Sequence, residues 1–262
     1  MVNSMQTSSH SSAKSSHYNE EAEHYDEFNE KNSETTNHLI EKILKKYRVK
    51  TVLDLTCGTG SQVFWLAKRG YEVVGSDINS KMLKIARNKA KKEKIDVKFL
   101  KGDMRTFHVG QFDAVITIFN AVGHLTKLDF EKAMRNIHKN LKNGGLYIFD
   151  INNLSYLIKD NQITALTIDW QKIAGDIKIR TVQYSTIGKD GILASYTISY
   201  AQKGSKKQKI SRSKQTLQVY TSKQLREMLS RNGFKVLSQC GMDGSKLSES
   251  KSDRIVTIAK KL

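Results

Sequence analysis

The sequence predicts an α/β protein: a doubly wound, mostly parallel sheet of seven strands, with a small antiparallel sheet inserted late in the chain. Three observations carry this expectation. Short apolar runs alternate with stretches of helical spacing between Tyr18 and Asp150. Those runs are apolar at nearly every position, as strands covered by helices on both faces must be. Beyond Asn153 the spacing changes to a two-residue alternation interrupted by glycine, the pattern of half-exposed hairpin strands.

Residues 1–17 are Ser-rich and lack periodic apolar positions, which reads as a disordered tail. From Tyr18 the spacing is helical, through Ala22, Tyr25 and Phe28 to Leu39, Ile40, Ile43, Leu44 and Tyr47. Residues 52–55 form the first strand, and 62–69 a helix stopped by Gly70. A second strand over 71–76 leads to a helix over 80–93 with Asn79 or Ser80 as its cap. Strands follow at 97–100 and 112–119, then a helix at 129–141. Gly144-Gly145 turns the chain into a fifth strand at 146–150. Alternation over 163–173, 177–187, 192–200 and 209–220 builds the inserted sheet. A helix over 223–231, capped by Thr221 or Ser222, and strands at 235–239 and 255–259 complete the main sheet. The expected division is therefore a tail at 1–17, a core at 18–155 and 220–262, and an insert at 156–219.

Composition narrows the function classes. The chain has 262 residues, 38% hydrophobic and 27% charged, enough for one well-buried domain. No apolar run approaches the roughly 18 residues a membrane span needs, and the N-terminus has no apolar signal core. Cys57 and Cys240 cannot make a disulfide framework, which fits a reducing cytoplasm. The net charge of +18 raises the possibility of a nucleic-acid partner. Most basic residues are dispersed, however, and the series from Lys81 to Lys94 reads as a solvated helix face. Only the run 203–214, K-G-S-K-K-Q-K-I-S-R-S-K, is dense enough to form a patch. No His, Cys, Asp and Glu cluster has metal-ligand spacing, so no metal is expected.

The chemistry concentrates in V-L-D-L-T-C-G-T-G, from Val52, and in V-V-G-S-D, ending at Asp77. A strand running into a Gly-x-Gly turn that opens a helix lets backbone N–H groups approach a ligand, and a carboxylate closing the next strand can accept both ribose hydroxyls. A dinucleotide site would want a third small residue in the loop, where this chain has Val63. S-adenosylmethionine is favoured instead. Asp54, ahead of Gly58 and Gly60, can reach an amino group; Asp103, ending the third strand, can accept from an adenine amine; and Ile78 and Met82 can pack on the adenine face. All lie on the sheet edge where open α/β folds bind ligands.

With G-S-D-I-N, K-G-D-M, F-D-A-V-I-T-I-F-N-A-V-G-H-L and L-K-N-G-G-L-Y-I-F-D-I-N added, the chain resembles the Rossmann-like S-adenosylmethionine-dependent methyltransferases from Tyr18 to its C-terminus. F-N-A-V-G-H-L and the insert are most similar to the small-molecule N-methyltransferase branch, which includes amino-sugar N,N-dimethyltransferases and glycine N-methyltransferase-like enzymes. One departure is L-K-N-G-G, where the family usually has proline before the glycines. The resemblance implies that Asp103 and Met104 frame the adenine, that Phe119 and Asn120 line the floor beneath the sulfonium, and that Tyr18 and Tyr25 fold over the cofactor. It implies a small-molecule acceptor and the product S-adenosylhomocysteine.

Methyl transfer from a sulfonium is an in-line displacement in which positioning supplies most of the catalysis. An amine acceptor must be neutral to attack. His124, following the fourth strand, is the first candidate to take or hold its proton, and Tyr25 the second, by orienting the acceptor or facing the cationic sulfonium. The insert is expected to cover the acceptor as a lid, with Asn152, Tyr196 and Tyr200 as candidate contacts. Two alternatives stay open: an RNA or tRNA methyltransferase, suggested by charge but lacking the Asn/Asp-Pro-Pro-aromatic stretch, and a non-catalytic S-adenosylmethionine-binding module. The choice of nitrogen or oxygen as acceptor, and the oligomeric state, are left open too.

Overall fold

The computed structural model describes residues 9–19, 22, 25–159, 166–188 and 190–262. Its main sheet has seven strands in the order β10-β11-β5-β4-β1-β2-β3. These are β1 (Thr51–Asp54), β2 (Glu72–Asp77), β3 (Lys98–Lys101), β4 (Phe112–Thr117), β5 (Leu141–Asn152), β10 (Phe234–Cys240) and β11 (Arg254–Lys261). The pairs from β3 through β5 are parallel, while β11 runs antiparallel to both β5 and β10. The strand order reverses between β1 and β4, which opens a crevice at their C-terminal ends.

Alternation along the strands sorts side chains into two cores. On one face Val52, Ala114, Ile116 and Ile148 pack with Ile40 and Leu44 of α1 (Tyr25–Lys46), Val63 of α2 (Ser61–Ala67) and Leu83 of α3 (Ser80–Glu93). On the other, Leu53, Val115, Tyr147 and Phe149 meet Phe130 and Met134 of α4 (Lys127–Lys139) and Leu225 and Met228 of α6 (Ser222–Arg231). Both faces of the central strands are dry, as continuous apolar runs require. Caps set the helix starts: the Asn79 side chain accepts from the N–H groups of Lys81 and Met82, and Thr221 and Gln224 form a reciprocal capping box.

The second sheet is an antiparallel meander of β6 (Leu166–Ala174), β7 (Ile177–Ile187), β8 (Ile192–Lys203) and β9 (Lys209–Gln218). A small cluster of Leu154, Leu193 and Val219 roots it in the core. Leu154 belongs to α5 (Leu154–Ile158), a short helix the sequence pattern did not suggest; the Asn153 side chain caps it by accepting from Ser155 N–H.

Several boundaries differ from expectation for local reasons. The first helix begins at Tyr25 rather than Tyr18, and residues 15–19 form turns. The fifth strand begins at Leu141 and carries Gly144-Gly145 inside it, where pairing with β4 shifts register. Residues 9–17, expected as part of a tail, lie along the core: His10 bonds Thr216 Oγ1 at 2.9 Å and Leu125 O at 3.0 Å, Ala13 N–H donates to His124 O at 2.9 Å, and Ser12 Oγ donates to Asp129 at 2.6 Å. The polar residues that read as disorder-promoting here satisfy backbone groups of the loop 124–126. Residues 1–8 of the expected tail, and 163–165 of the expected sixth strand, lie outside the described residues.

Candidate functional site

A cavity of roughly 810 Å³, partly open to solvent, lies over the C-terminal ends of β1, β2 and β4. Gly58, Asp77, Ile78 and Met82 line it, with Asp103 and Met104 after β3 and Phe119 after β4. Tyr18, Tyr25 and His124 close it from the other side. Asp54, Gly60 and Asn120, also expected there, stand behind the wall.

Each of those three has a supporting place. Gly60 caps α2 with φ +95°, and a Cβ there would meet the Phe64 ring at 2.7 Å. Asp54 is fully buried; Oδ1 accepts from Thr56 N–H at 3.1 Å, Oδ2 has no partner, and burial pushes its carboxyl up to about 8. Asn120 turns its side chain away from the cavity, accepting from Asn152 N–H at 3.0 Å.

Asp77 is held at the cavity by backbone donors: Gly58 N–H at 2.8 Å to Oδ2 and Asn79 N–H at 2.7 Å to Oδ1. Burial raises its carboxyl, and these donors offset only part of that. Each oxygen keeps a lone pair for a further donor. Asp103 is different. Arg105 grips both of its oxygens through Nε at 3.0 Å and Nη2 at 2.5 Å, and Arg105 N–H adds a bond to Oδ1 at 2.9 Å. Burial pushes the Asp103 carboxyl up, yet these bonds outweigh it and hold the group below the usual range. Asp103 lines the cavity as expected, with its oxygens engaged by Arg105, a partner that the sequence pattern does not indicate.

His124 ends a 3-10 turn, Ala121–His124. Its Nε2 lies 2.7 Å from Tyr18 Oη, and the His17 ring contacts it edge-on at 4.9 Å. Burial, then the neighbouring His17 and His10, lowers its pKa to about 4, so the ring is neutral at physiological pH. Tyr25 sits edge-on to Tyr18 at 5.8 Å; burial and then the Asp77 charge push its hydroxyl up to about 12, which keeps it a neutral donor. The next residue, Asp26, fixes this end of α1 by accepting from Thr59 Oγ1 at 2.6 Å and from Lys89.

The cover is also not the one expected. Among the described residues, no residue of the inserted sheet lines the cavity, and neither does Asn152. Ala13, Lys14, Ser15 and His17 take that place, from the segment whose composition carried no periodic signal. His10 ties the segment to β9 of the insert through Thr216.

Residues 52–145 match the family model described as "Methyltransferase domain". The chain is 32% identical over 135 residues to a glycine/sarcosine N-methyltransferase of Parasynechococcus marenigrum, covering 48% of this chain and 46% of that protein. It is 41% identical over 100 residues to a demethylmenaquinone methyltransferase of Thermus thermophilus, covering 37% and 44%. The chain spans about half the length of the curated relatives it matches. Among solved structures, an S-adenosylmethionine-dependent methyltransferase from Clostridium acetobutylicum superposes with TM-score 0.77 at 19% identity, over 93% of this chain and 98% of that one. An S-adenosylmethionine-bound amino pentose methyltransferase from Micromonospora echinaspora superposes with TM-score 0.71 at 18% identity, over 88% and 92%. Those likenesses carry the fold, including the inserted sheet. Residues 52–145, which hold the strand ends around the cavity from β1 to β4, are thus similar to a methyltransferase domain, and the whole chain shares the fold of S-adenosylmethionine-dependent methyltransferases.

Proposed function

We propose that this protein transfers the methyl group of S-adenosylmethionine to a small-molecule acceptor, an amine nitrogen, by in-line displacement. One observation carries the reading. A neutral histidine, His124, and a buried acceptor carboxylate, Asp77, line the same cavity.

The residues present fit the cofactor. Asp77 has acceptor capacity left for ribose hydroxyls, and the unpartnered Asp54 Oδ2 behind Thr56 is a buried carboxyl oxygen that a cationic amino group would draw into its ionised, accepting form. Ile78 and Met82 offer an apolar wall to a purine, with Met104 beside them. Gly58 lets the loop pass close to the ligand, and Phe119 forms the floor. When bound, the cofactor supplies an electrophilic methyl group on a sulfonium.

The chain's part is to present a lone pair to that methyl. Of the two roles open to His124, taking the amine's proton or holding the amine by a hydrogen bond, a pKa of about 4 favours the second, since the ring is a poor proton sink. It therefore orients an amine that arrives neutral or loses its proton to solvent, while the hydrogen bond to the Tyr18 hydroxyl holds the imidazole ring in place. Tyr25, neutral and buried, shields the reacting centre from water and turns its ring toward the cation. Structural neighbours described as an amino pentose methyltransferase and as a sugar N-methyltransferase support a small-molecule amine. An RNA acceptor is the second reading, prompted by the +18 charge and by a relative named as a tRNA methyltransferase. No helix among the described residues is long and apolar enough to cross a membrane, and both cysteines are free, so we place the protein in the cytoplasm.

The test is a screen of amino sugars, amino acids, polyamines, hydroxylated analogues and RNA, reading S-adenosylhomocysteine release. The reading predicts release with an amine. Release with RNA alone, or with hydroxyl compounds alone, overturns it.

A further inference from the structure

Beyond the family-model segment lies a buried ion pair that reaches the site from behind. Asp150, on β5, is fully buried, and its Oδ2 accepts from Arg254 Nη2 of β11 at 2.9 Å. The same carboxylate accepts the N–H of Phe119 at 2.6 Å and the N–H of Asn120 at 3.1 Å. Those two residues have φ of 63° and 58°, the left-handed region that residues with side chains avoid. The corner is packed to its limit, since a Cβ at Gly123 would meet the Asn120 amide at 2.7 Å. Ile118, Phe119, Ala121 and His124 hang from this corner and line the cavity, while Asp150 and Arg254 do not.

We infer that Asp150 and Arg254 are positioning residues: the paired carboxylate pins the left-handed Phe119–Asn120 corner, and the corner sets the cavity floor and the placement of His124. A free backbone would relax toward right-handed or extended φ here, because nothing in Phe119 itself favours the observed one. Two N–H bonds to a charged acceptor over-determine the conformation, and Arg254 supplies the opposite charge that a buried carboxylate needs. The C-terminal strand thereby becomes part of the site without touching a ligand. This rests on the reading of the cavity as an S-adenosylmethionine site, and its readout is cofactor affinity rather than turnover.

The experiment compares Asp150→Asn, Arg254→Gln and Arg254→Lys with the native full chain. Each is measured for melting temperature and near-ultraviolet circular dichroism without ligand, and for S-adenosylmethionine affinity by titration calorimetry between pH 6 and 9. The groups that face Asp150 are Arg254, Tyr147 on its own strand and Tyr25 from α1. Among the charged groups Arg254 offsets the upward push of burial, and the N–H groups of Asn120 and Phe119 add to it in every variant; Asp77 adds the same background pH dependence to all of them.

Asp150→Asn is expected to weaken binding at least tenfold while remaining folded. Arg254→Gln should bind near the native level at pH 9 and lose affinity on acidification more steeply than the native chain, as Asp150 takes up a proton. Arg254→Lys should restore the native profile. Folded variants that bind within twofold of native at every pH overturn the proposal, as does an Arg254→Gln profile parallel to the native one. Unfolding of all three shows a purely structural pair and overturns it equally. A native chain that fails to bind S-adenosylmethionine counts instead against the functional reading, and one that binds but methylates nothing leaves the positioning role standing.

Discussion

In the main sheet the neighbours Val115 and Ile116 are both fully buried, on opposite faces, whereas in the inserted sheet the paired Tyr184 and Tyr196 both keep solvent contact. The first arrangement needs helices on two sides, and close packing on both faces holds the strand ends rigidly. The second rests on three buried residues at its root, and its outer half carries polar and basic side chains on an open surface. Donor chemistry belongs to the rigid part. The cover is completed by the segment 13–18, held mainly by hydrogen bonds. A cofactor shared by many proteins suits a close-packed scaffold, and an acceptor particular to one suits a cover that can be remodelled cheaply.

The largest expected effect breaks this comparison on the acceptor side. His124→Ala should lower kcat by about 10²-fold, what a misplacement of about 1 Å at the reacting centre costs. Calorimetry should show S-adenosylmethionine affinity nearly unchanged, because the donor contacts lie on other strand ends. In the native enzyme the low His124 pKa removes any kinetic limb near neutrality: the rate on an amine should climb with pH according to the acceptor's own ammonium group, without a break near the ordinary histidine value. A limb at that value that vanishes in His124→Gln contradicts the hydrogen-bonding role.

Asp77→Asn acts on the donor side. Losing charge-assisted bonds of about 1.5–3 kcal/mol should weaken cofactor binding roughly 10- to 100-fold. The ligand-free protein should behave in the opposite sense. The Asp77 pKa is raised, so between the unfolded and folded values the native state holds more protons than the unfolded state. Ligand-free stability therefore falls as pH rises through that window, and the asparagine, free of this penalty, should melt no lower than native at pH 7. Thermal scans with and without S-adenosylmethionine check both halves.

Tyr18→Phe is smaller and tests the cover. One neutral hydrogen bond contributes about 0.5–1.5 kcal/mol, so acceptor kcat/KM should fall roughly 3- to 10-fold. Cofactor affinity, measured alongside, should move less.

The donor side was legible in the sequence because it is local. A strand, a Gly-x-Gly turn and a terminal aspartate write their geometry within a few residues, so Gly58, Asp77, Ile78 and Met82 could be placed on the cavity wall. Asp103 is placed on the wall by its strand end in the same way, whereas the hold Arg105 has on it depends on side-chain rotamers and leaves no mark in the sequence. The Asp150–Arg254 pair could not be read, because its members lie about a hundred residues apart and meet only through sheet register. The segment 9–17 failed for another reason. Its contacts are polar bonds to backbone groups of a distant loop, and such bonds leave no periodic trace.

The smallest expected effect is a null result with a consequence. Lys206 and Lys207 sit at the exposed β8–β9 tip, and no residue of that basic run lines the cavity. If the acceptor is a small molecule, the Lys206→Ala and Lys207→Ala double variant should keep both cofactor affinity and turnover within about twofold, the ordinary tolerance of surface positions. A polyanionic acceptor gives the opposite result: each lysine that neutralises a phosphate adds close to one unit to the salt dependence of binding. Turnover would then drop and lose part of its sensitivity to salt. Measuring initial rates at two salt concentrations for the native and double-variant chains separates these cases. Charge at the insert tip matters to the reaction only if the substrate is long enough to reach it, and an unchanged rate confines recognition to the cavity between Asp77 and His124.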